Sequence, residues 1–209
     1  MVNTEAKIAK ILLETRAIKL SPDNPFKWSS GWNSPIYCDN RTVLSHATNR
    51  KEIKEMLSAK IKQEFIGVDT IVGVATAGIA MGALVADELG LSYAYCRPEP
   101  KAHGLKRQLE GRVARGANIV VLEDLISTGG SSLKVVDYMR AEGYTIMGMA
   151  AIFTYGFQVA DDNFNNANCK YITLGNYASM IEEAVASGYV KEADLKSLAE
   201  WRENPAAWG

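Results

Sequence analysis

From about residue 70 onward, two hydrophobic rhythms alternate along the chain. Short unbroken apolar runs at 70–74, 92–96, 118–122, 145–153 and 171–174 have strand length. An unbroken run, rather than an in-out alternation, is the pattern of a strand covered on both faces, as in a parallel sheet. Between and after these runs, apolar residues recur at helical spacing over 78–89, 131–142, 176–187 and 191–202. Strands alternating with helices predict an α/β fold with a central, mostly parallel sheet flanked by helices.

The N-terminal third follows another pattern. Residues 4–17 carry Ile8, Ile11, Leu12 and Thr15 on one helical side with Thr4 as the expected N-cap, and a second helix is expected over 47–65. Between them, Ser21 to Arg41 is rich in Pro, Ser, Asn, Gly and aromatics, with a short strand expected at 36–38. That composition predicts a small N-terminal addition to the sheet, a hood over roughly 18–45, within one domain spanning 1–209.

Composition narrows the class. A chain of 209 residues, 47% hydrophobic, can bury one sizeable core. A net charge of −1 gives no global electrostatic case for nucleic acid or a membrane surface. No apolar run approaches the roughly 20 residues that span a bilayer, and the N-terminus has no signal-peptide core. Cys38, Cys96 and Cys169 are scattered without metal-ligand spacing and read as the reduced thiols of a cytoplasmic protein.

The most informative stretch is Ile119-Val-Val-Leu-Glu-Asp-Leu-Ile-Ser-Thr-Gly-Gly-Ser-Ser132. A buried-strand run is followed by Glu123 and Asp124, then by a Ser/Thr/Gly loop leading into a helix. In an open parallel sheet, ligands bind beyond the carboxyl ends of the strands. A Gly/Ser/Thr loop at a helix N-terminus offers converging N–H groups and a positive dipole end to a phosphate. The two carboxylates would repel that phosphate and suit hydroxyl groups or a metal on the same ligand. A sugar phosphate satisfies both halves. The competing interpretation is ordinary N-cap chemistry at Ser and Thr. Neither a Walker loop nor a Gly-x-Gly-x-x-Gly fingerprint is present.

Three further constellations add to this. Val72-Gly-Val-Ala75-Thr76-Ala77-Gly78 ends another strand in small residues, as a packing turn or as a second backbone anion site. From Arg97 to Arg115, a polar stretch carries Arg97, Lys101, Lys106, Arg107, Arg112 and Arg115 against Glu99 and Glu110, with His103 among them. A loop so long and basic reads as a lid over about 98–115 that closes on an anion. Phe26 to Arg41 sets Lys27, Tyr37 and Arg41 among aromatics that could cover a flat heterocycle, with Arg41 facing a carboxylate.

The 120–132 segment closely resembles the phosphoribosyl-pyrophosphate (PRPP) motif of type I phosphoribosyltransferases. Ser-Gly-x-x-Ser-Pro-Ile-Tyr-x-Asp-Asn-Arg near the N-terminus and Arg-Pro-x-Pro-Lys-x-His-Gly in the lid resemble the orotate phosphoribosyltransferases in particular, as does the C-terminal Trp201-Arg-x-Asn-Pro-x-x-Trp208, which resembles a bacterial branch of them. The resemblance implies the type I phosphoribosyltransferase fold and transfer of phosphoribosyl from PRPP to orotate with Mg²⁺, as a homodimer.

By position it implies Glu123 and Asp124 at the ribose hydroxyls, with Mg²⁺ held mainly by PRPP and met by Asp124 only through water. Thr128, Gly129, Gly130 and Ser131 would cradle the 5-phosphate with Ser127 and Ser132 at the rim, and Ala75, Thr76, Ala77 and Gly78 would face pyrophosphate. Arg97 would act at the lid base. Lys101 and His103 would act in the lid, completing the neighbouring subunit's site, so that the catalytic set is Lys101, His103 and Asp124. Ser127, Arg41, Lys27 and Tyr37 would face orotate. Three positions depart from many relatives, which carry Lys where Ala77 and Ser29 stand and a second basic residue where Pro98 stands. A phosphoribosyltransferase for purines or uracil, and a non-catalytic PRPP-binding regulator, are the competing functions; the charged lid weighs against the second.

Overall fold

The computed structural model describes residues 3–28, 31–100 and 108–208. The lid residues Lys101 and His103, and Ser29 in the hood, lie outside the described residues. Helix α1 spans Thr4–Glu14 and is followed by strands β1 Ile18–Leu20, β2 Phe26–Lys27, β3 Asn33–Ser34 and β4 Ile36–Cys38. A 3-10 turn at Asn40–Ser45 leads into α2, Ala47–Glu64. Then come β5 Thr70–Val74, α3 Gly78–Leu89, β6 Ser92–Cys96, β7 Leu109–Glu110, β8 Asn118–Ile126 and α4 Gly130–Ala141. The chain closes with β9 Thr145–Thr154, α5 Gln158–Asn166, β10 Tyr171–Asn176, α6 Tyr177–Ala186 and α7 Leu195–Glu203.

Among the described residues the main sheet has six strands in the order β10-β9-β8-β5-β6-β7, parallel except for β7. Its unbroken apolar runs follow from cover on both faces. Ile71, Val120, Leu122 and Ile152 join one core with Ile8 and Leu12 of α1 and Ile53 and Leu57 of α2. Val72, Val74, Ile119 and Val121 join a second core with Leu133, Val136 and Met139 of α4 and Phe164 of α5. Neighbouring residues thus enter opposite layers at the strand period.

Several expectations need correcting. Asn3, not Thr4, caps α1, its side chain accepting from the Glu5 amide at 3.0 Å. Helix α5 and strand β7 were not anticipated; α5 is polar on its outer side and short, which blurs its period. The stretch from Arg97 to Gly116 is not structureless throughout. β7 pairs antiparallel with β6, and the Gln108 side chain donates to the carbonyls of Arg97 at 2.8 Å and Pro98 at 3.2 Å, tying the two lid stems together. β8 does not stop at Leu122 but continues to Ile126, so Glu123 and Asp124 lie within the strand rather than after it.

Before the main sheet, β1 pairs with β4 and β2 with β3, both antiparallel. An aromatic cluster fastens this hood to the sheet. Trp201 of α7 is fully buried and packs against Trp28, Tyr155, Phe157 and Tyr177, with ring centroids 5.3 to 5.7 Å apart. Its indole N–H donates to the Asn33 carbonyl in β3 at 3.3 Å. Large aromatics in edge and tilted contact contribute strongly to a core. Trp201→Ala should therefore cost about 3–5 kcal/mol in urea unfolding. A loss under about 1 kcal/mol would show that the hood is held elsewhere.

Candidate functional site

The site arises from an inequality between neighbouring strands. β5 and β8 pair from Thr70↔Ile119 to Gly73↔Leu122, and β8 then runs on to Ile126 with only β9 beside it. The chain leaves β5 through α3 towards β6 and leaves β8 through α4 towards β9, on opposite sides. Such a reversal opens a crevice at the carboxyl ends of the strands. Ala75, Thr76 and Ala77 of one small-residue loop and residues 127–131 of the other line one cavity of about 320 Å³ in this crevice, with Glu123, Asp124 and Pro98 on its walls; Gly78 is not in the lining.

Close packing of backbones holds the two loops side by side. Gly78 begins α3 against β8, where a Cβ would stand 2.4 Å from the Leu122 carbonyl oxygen. Gly129 has φ +81, which favours glycine, and a Cβ there would stand 2.6 Å from the Phe164 ring. Ser127 and Thr128 do not cap α4. Its N-cap is Gly129, with no side-chain cap, and α3 likewise starts at Ala77 without one. No side chain takes the capping role in either loop, and apart from Ile79, whose amide donates to the Thr76 carbonyl at 3.2 Å, the first-turn amides remain for a ligand. The rear of the phosphate loop is tied down: Asn163 donates to the Thr128 carbonyl at 2.9 Å, and the Leu133 amide to the Gly129 carbonyl at 2.9 Å. The peptide between Ala75 and Thr76 is cis.

With no strand beyond Leu122 on the β5 side, the backbone of Asp124 meets side chains instead. Its amide donates to Glu123 Oε1 at 3.0 Å, and its carbonyl accepts from Asn40 Nδ2 at 2.8 Å. Ser132 Oγ donates to Glu123 Oε2 at 3.2 Å. Burial, reinforced by the charge of Asp124, pushes the Glu123 carboxyl well above its usual range, and burial also raises Asp124. Two buried carboxylates side by side favour a ligand that brings hydrogen-bond donors or positive charge.

A second cavity, of about 520 Å³, lies under the hood and shares Leu125, Ser127 and Thr128 with the first. Lys27, Trp28, Trp32 and Tyr37 of the hood line it, with Tyr155 below. Lys27 and Tyr37 thus stand where the sequence expected them. Arg41 does not line this cavity. It makes a two-pronged pair with Asp39, at 2.7 and 3.0 Å, which lowers the Asp39 carboxyl, and its charge acts on Asp124. Arg97, at the lid base, stacks its guanidinium over Tyr95 at 5.8 Å, and its buried Nε has no partner among the described residues.

Asn40 and Tyr155 escaped the sequence reading. Asn40 is 2% exposed, and a buried amide far from the phosphate motif carried no linear signal. Tyr155 lies just past the apolar run at 145–153, where no linear motif marks it.

A model of the phosphoribosyl transferase domain matches residues 41–187. The chain is 51% identical to the orotate phosphoribosyltransferase of Cytophaga hutchinsonii over 99% of both chains, and 49% identical to that of Bacteroides thetaiotaomicron over 100% of this chain and 98% of that one. Among solved structures, the orotate phosphoribosyltransferase of Aeropyrum pernix superposes with a TM-score of 0.77 at 27% identity, covering 88% of this chain and 99% of that one.

The raised Glu123 carboxyl carries a stability consequence. Above the unfolded value of 4.5, the folded state holds this proton more tightly than the unfolded state, so stability falls as pH rises. Glu123→Gln should therefore stabilise the ligand-free protein at pH 7 by on the order of 1 kcal/mol, and the gain should vanish as pH drops below 4.5. Thermal unfolding of both proteins across pH checks this; a variant less stable at pH 7 would overturn it.

Proposed function

This chain belongs to the orotate phosphoribosyltransferases, and on that footing we propose which of its residues carry the reaction. The enzyme transfers the phosphoribosyl group of PRPP to orotate, giving orotidine 5′-monophosphate and pyrophosphate in pyrimidine biosynthesis. The observation that carries the residue assignments is the pair of cavities meeting at Leu125, Ser127 and Thr128. One is walled by anion-binding loops and carboxylates, the other by aromatics and Lys27, so donor and acceptor meet at the shared wall.

The first-turn amides of α4, with Thr128, Gly129, Gly130 and Ser131, hold the 5-phosphate. Glu123 and Asp124 accept hydrogen bonds from the ribose hydroxyls, which supply the donors that two buried carboxylates call for. The 75–78 loop meets pyrophosphate through backbone groups, Ala77 providing no charge. In the second cavity the base stacks against the hood aromatics. Lys27, the cation on its wall, faces the orotate carboxylate in place of the family's Lys at Ser29, with Tyr37 and Ser127 beside it. Arg41, paired with Asp39, acts on the field at Asp124 rather than touching the base.

In the transfer, the bond from the anomeric carbon to pyrophosphate breaks and its electron pair leaves with pyrophosphate, while N1 of orotate supplies the pair for the new bond and gives up its proton to the departing pyrophosphate. Positive charge builds on the ribose ring and negative charge on the leaving group. Lys101 and His103 of the lid, with Arg97 at its base, offset the second charge as the lid excludes water. The lid acts across a homodimer interface on the neighbouring subunit's cleft. When bound, Mg²⁺ neutralises pyrophosphate charge. Asp124 would hold the ion through water as a hard oxygen donor, with PRPP oxygens supplying most of its ligands. The free thiols fit a cytoplasmic enzyme, and no described helix is long and apolar enough to cross a membrane.

Incubation with PRPP and competing bases tests the assignment: orotate should be consumed, with adenine and uracil left unused, and inactivity on orotate would end it. Lys101→Ala should lower kcat by roughly 100-fold or more while changing PRPP affinity far less, as for a group acting on transition-state charge; unchanged kcat would remove Lys101 from that role. Asp124→Asn should weaken PRPP binding about tenfold in titration calorimetry, and unaltered binding would count against the hydroxyl clamp.

A further inference from the structure

Two side chains lining the acceptor cavity, Leu125 and Tyr155, belong to neither the hood nor the phosphate loop, and of these only Tyr155 carries a polar group. Tyr155 follows directly after β9, and its amide donates to the Ile126 carbonyl at 3.2 Å, joining it to the end of β8. The residue is 3% exposed. Four rings surround its own: Trp28 at 5.2 Å, Phe157 at 5.4 Å, Trp201 at 5.7 Å and Phe153 at 5.8 Å between centroids. A ring gripped on so many sides has one orientation, and its polar end is directed by packing rather than by a hydrogen bond.

Tyr177, the other phenol buried as deeply, donates to the Leu198 carbonyl at 3.0 Å. The half-buried Tyr93 and Tyr171 also donate, to the Ile79 carbonyl and the Asp161 carboxylate. The Tyr155 hydroxyl makes no hydrogen bond with the described residues, yet it is not sealed off, for Tyr155 lines the hood cavity together with Cys38, Ser127 and Thr128. Buried hydroxyls normally find partners, and one left open in a site is held for a ligand. Burial, with the charges of Cys38 and Asp124 nearby, keeps the phenol well above its ordinary range. It therefore remains a donor at any working pH.

We propose that Tyr155 is a specificity-determining residue of the acceptor site, its hydroxyl donating a hydrogen bond to an oxygen of the pyrimidine base. The inference rests on the orotate reading given above and adds a contact that the hood motif does not contain. Orotate presents two ring carbonyls and a carboxylate, so an immobile donor finds an acceptor on it without any rearrangement of the protein. A fixed donor also penalises a base that offers no acceptor there, because the buried hydroxyl would lose its water without replacement.

Tyr155→Phe tests this while keeping the ring packing. Steady-state kinetics with orotate and PRPP varied in turn, beside a thermal melt, should show KM for orotate raised on the order of tenfold. KM for PRPP and the melting temperature should stay at their wild-type values. An unchanged KM for orotate would overturn the proposal. So would a fall in melting temperature accompanied by equal loss of affinity for both substrates, which would make Tyr155 a packing residue alone. A wild-type enzyme inactive on orotate would overturn the acceptor assignment itself, and that failure is visible before any variant is made.

Discussion

Because β8 outlasts β5 by the segment from Glu123 to Ile126, one edge of that segment has no strand to pair with, and the backbone must be satisfied by side chains or left for a ligand. This single constraint organises the cleft. Asn40 reaches from the hood to the Asp124 carbonyl, and Glu123 turns back to the Asp124 amide. A hood contact and a carboxylate of the donor site are thus products of the same unpaired edge. Had β5 continued alongside, the hood would have lost its anchor on β8 and the carboxylates would have faced a neighbouring strand.

The electrostatics follow from the same place. Glu123 is nearly sealed, beside a second carboxylate, and both groups are pushed towards protonation. The ligand-free protein holds these groups at a cost to its own stability. A ligand that brings hydrogen-bond donors relieves the cost, so binding energy is available at this pair. The anion loops behave in the opposite sense: uncapped helix starts at Gly78 and Gly130 present partial positive charge with no side chain to answer it. Opposite polarities within one cavity of about 320 Å³ match a ligand that is hydroxylated in the middle and phosphorylated at both ends.

The aromatic cluster around Trp201 performs a separate task. It fastens the hood, the end of β9 and the C-terminal helix α7 into one unit above the cleft. The acceptor cavity is therefore bounded by residues far apart in sequence, from Lys27 to Tyr155, whose relative placement depends on α7. Its polar groups are few and its walls mostly aromatic, as suits a flat base that must be oriented by a small number of directed contacts.

Local rules reached far into this protein. Unbroken apolar runs identified the strands at 70–74 and 92–96 to the residue, because a strand buried on both faces needs no information beyond its own hydrophobicity. The Ser/Thr/Gly loop after 122 announced a phosphate site for an equally local reason: small residues and free amides at a helix start are chemistry that a dozen consecutive positions can encode. What lies between distant segments was illegible. The continuation of β8 through its carboxylates depends on β9 pairing, the exclusion of Arg41 from the hood cavity on its pair with Asp39, and the orientation of Tyr155 on four rings drawn from across the chain. Sequence alone determined the fold class and marked the small-residue loops and carboxylates of the cleft, since those rest on short-range pattern. Tertiary structure alone decided which side chains line the hood cavity, since direction inside a packed core is set by neighbours that no linear motif brings together.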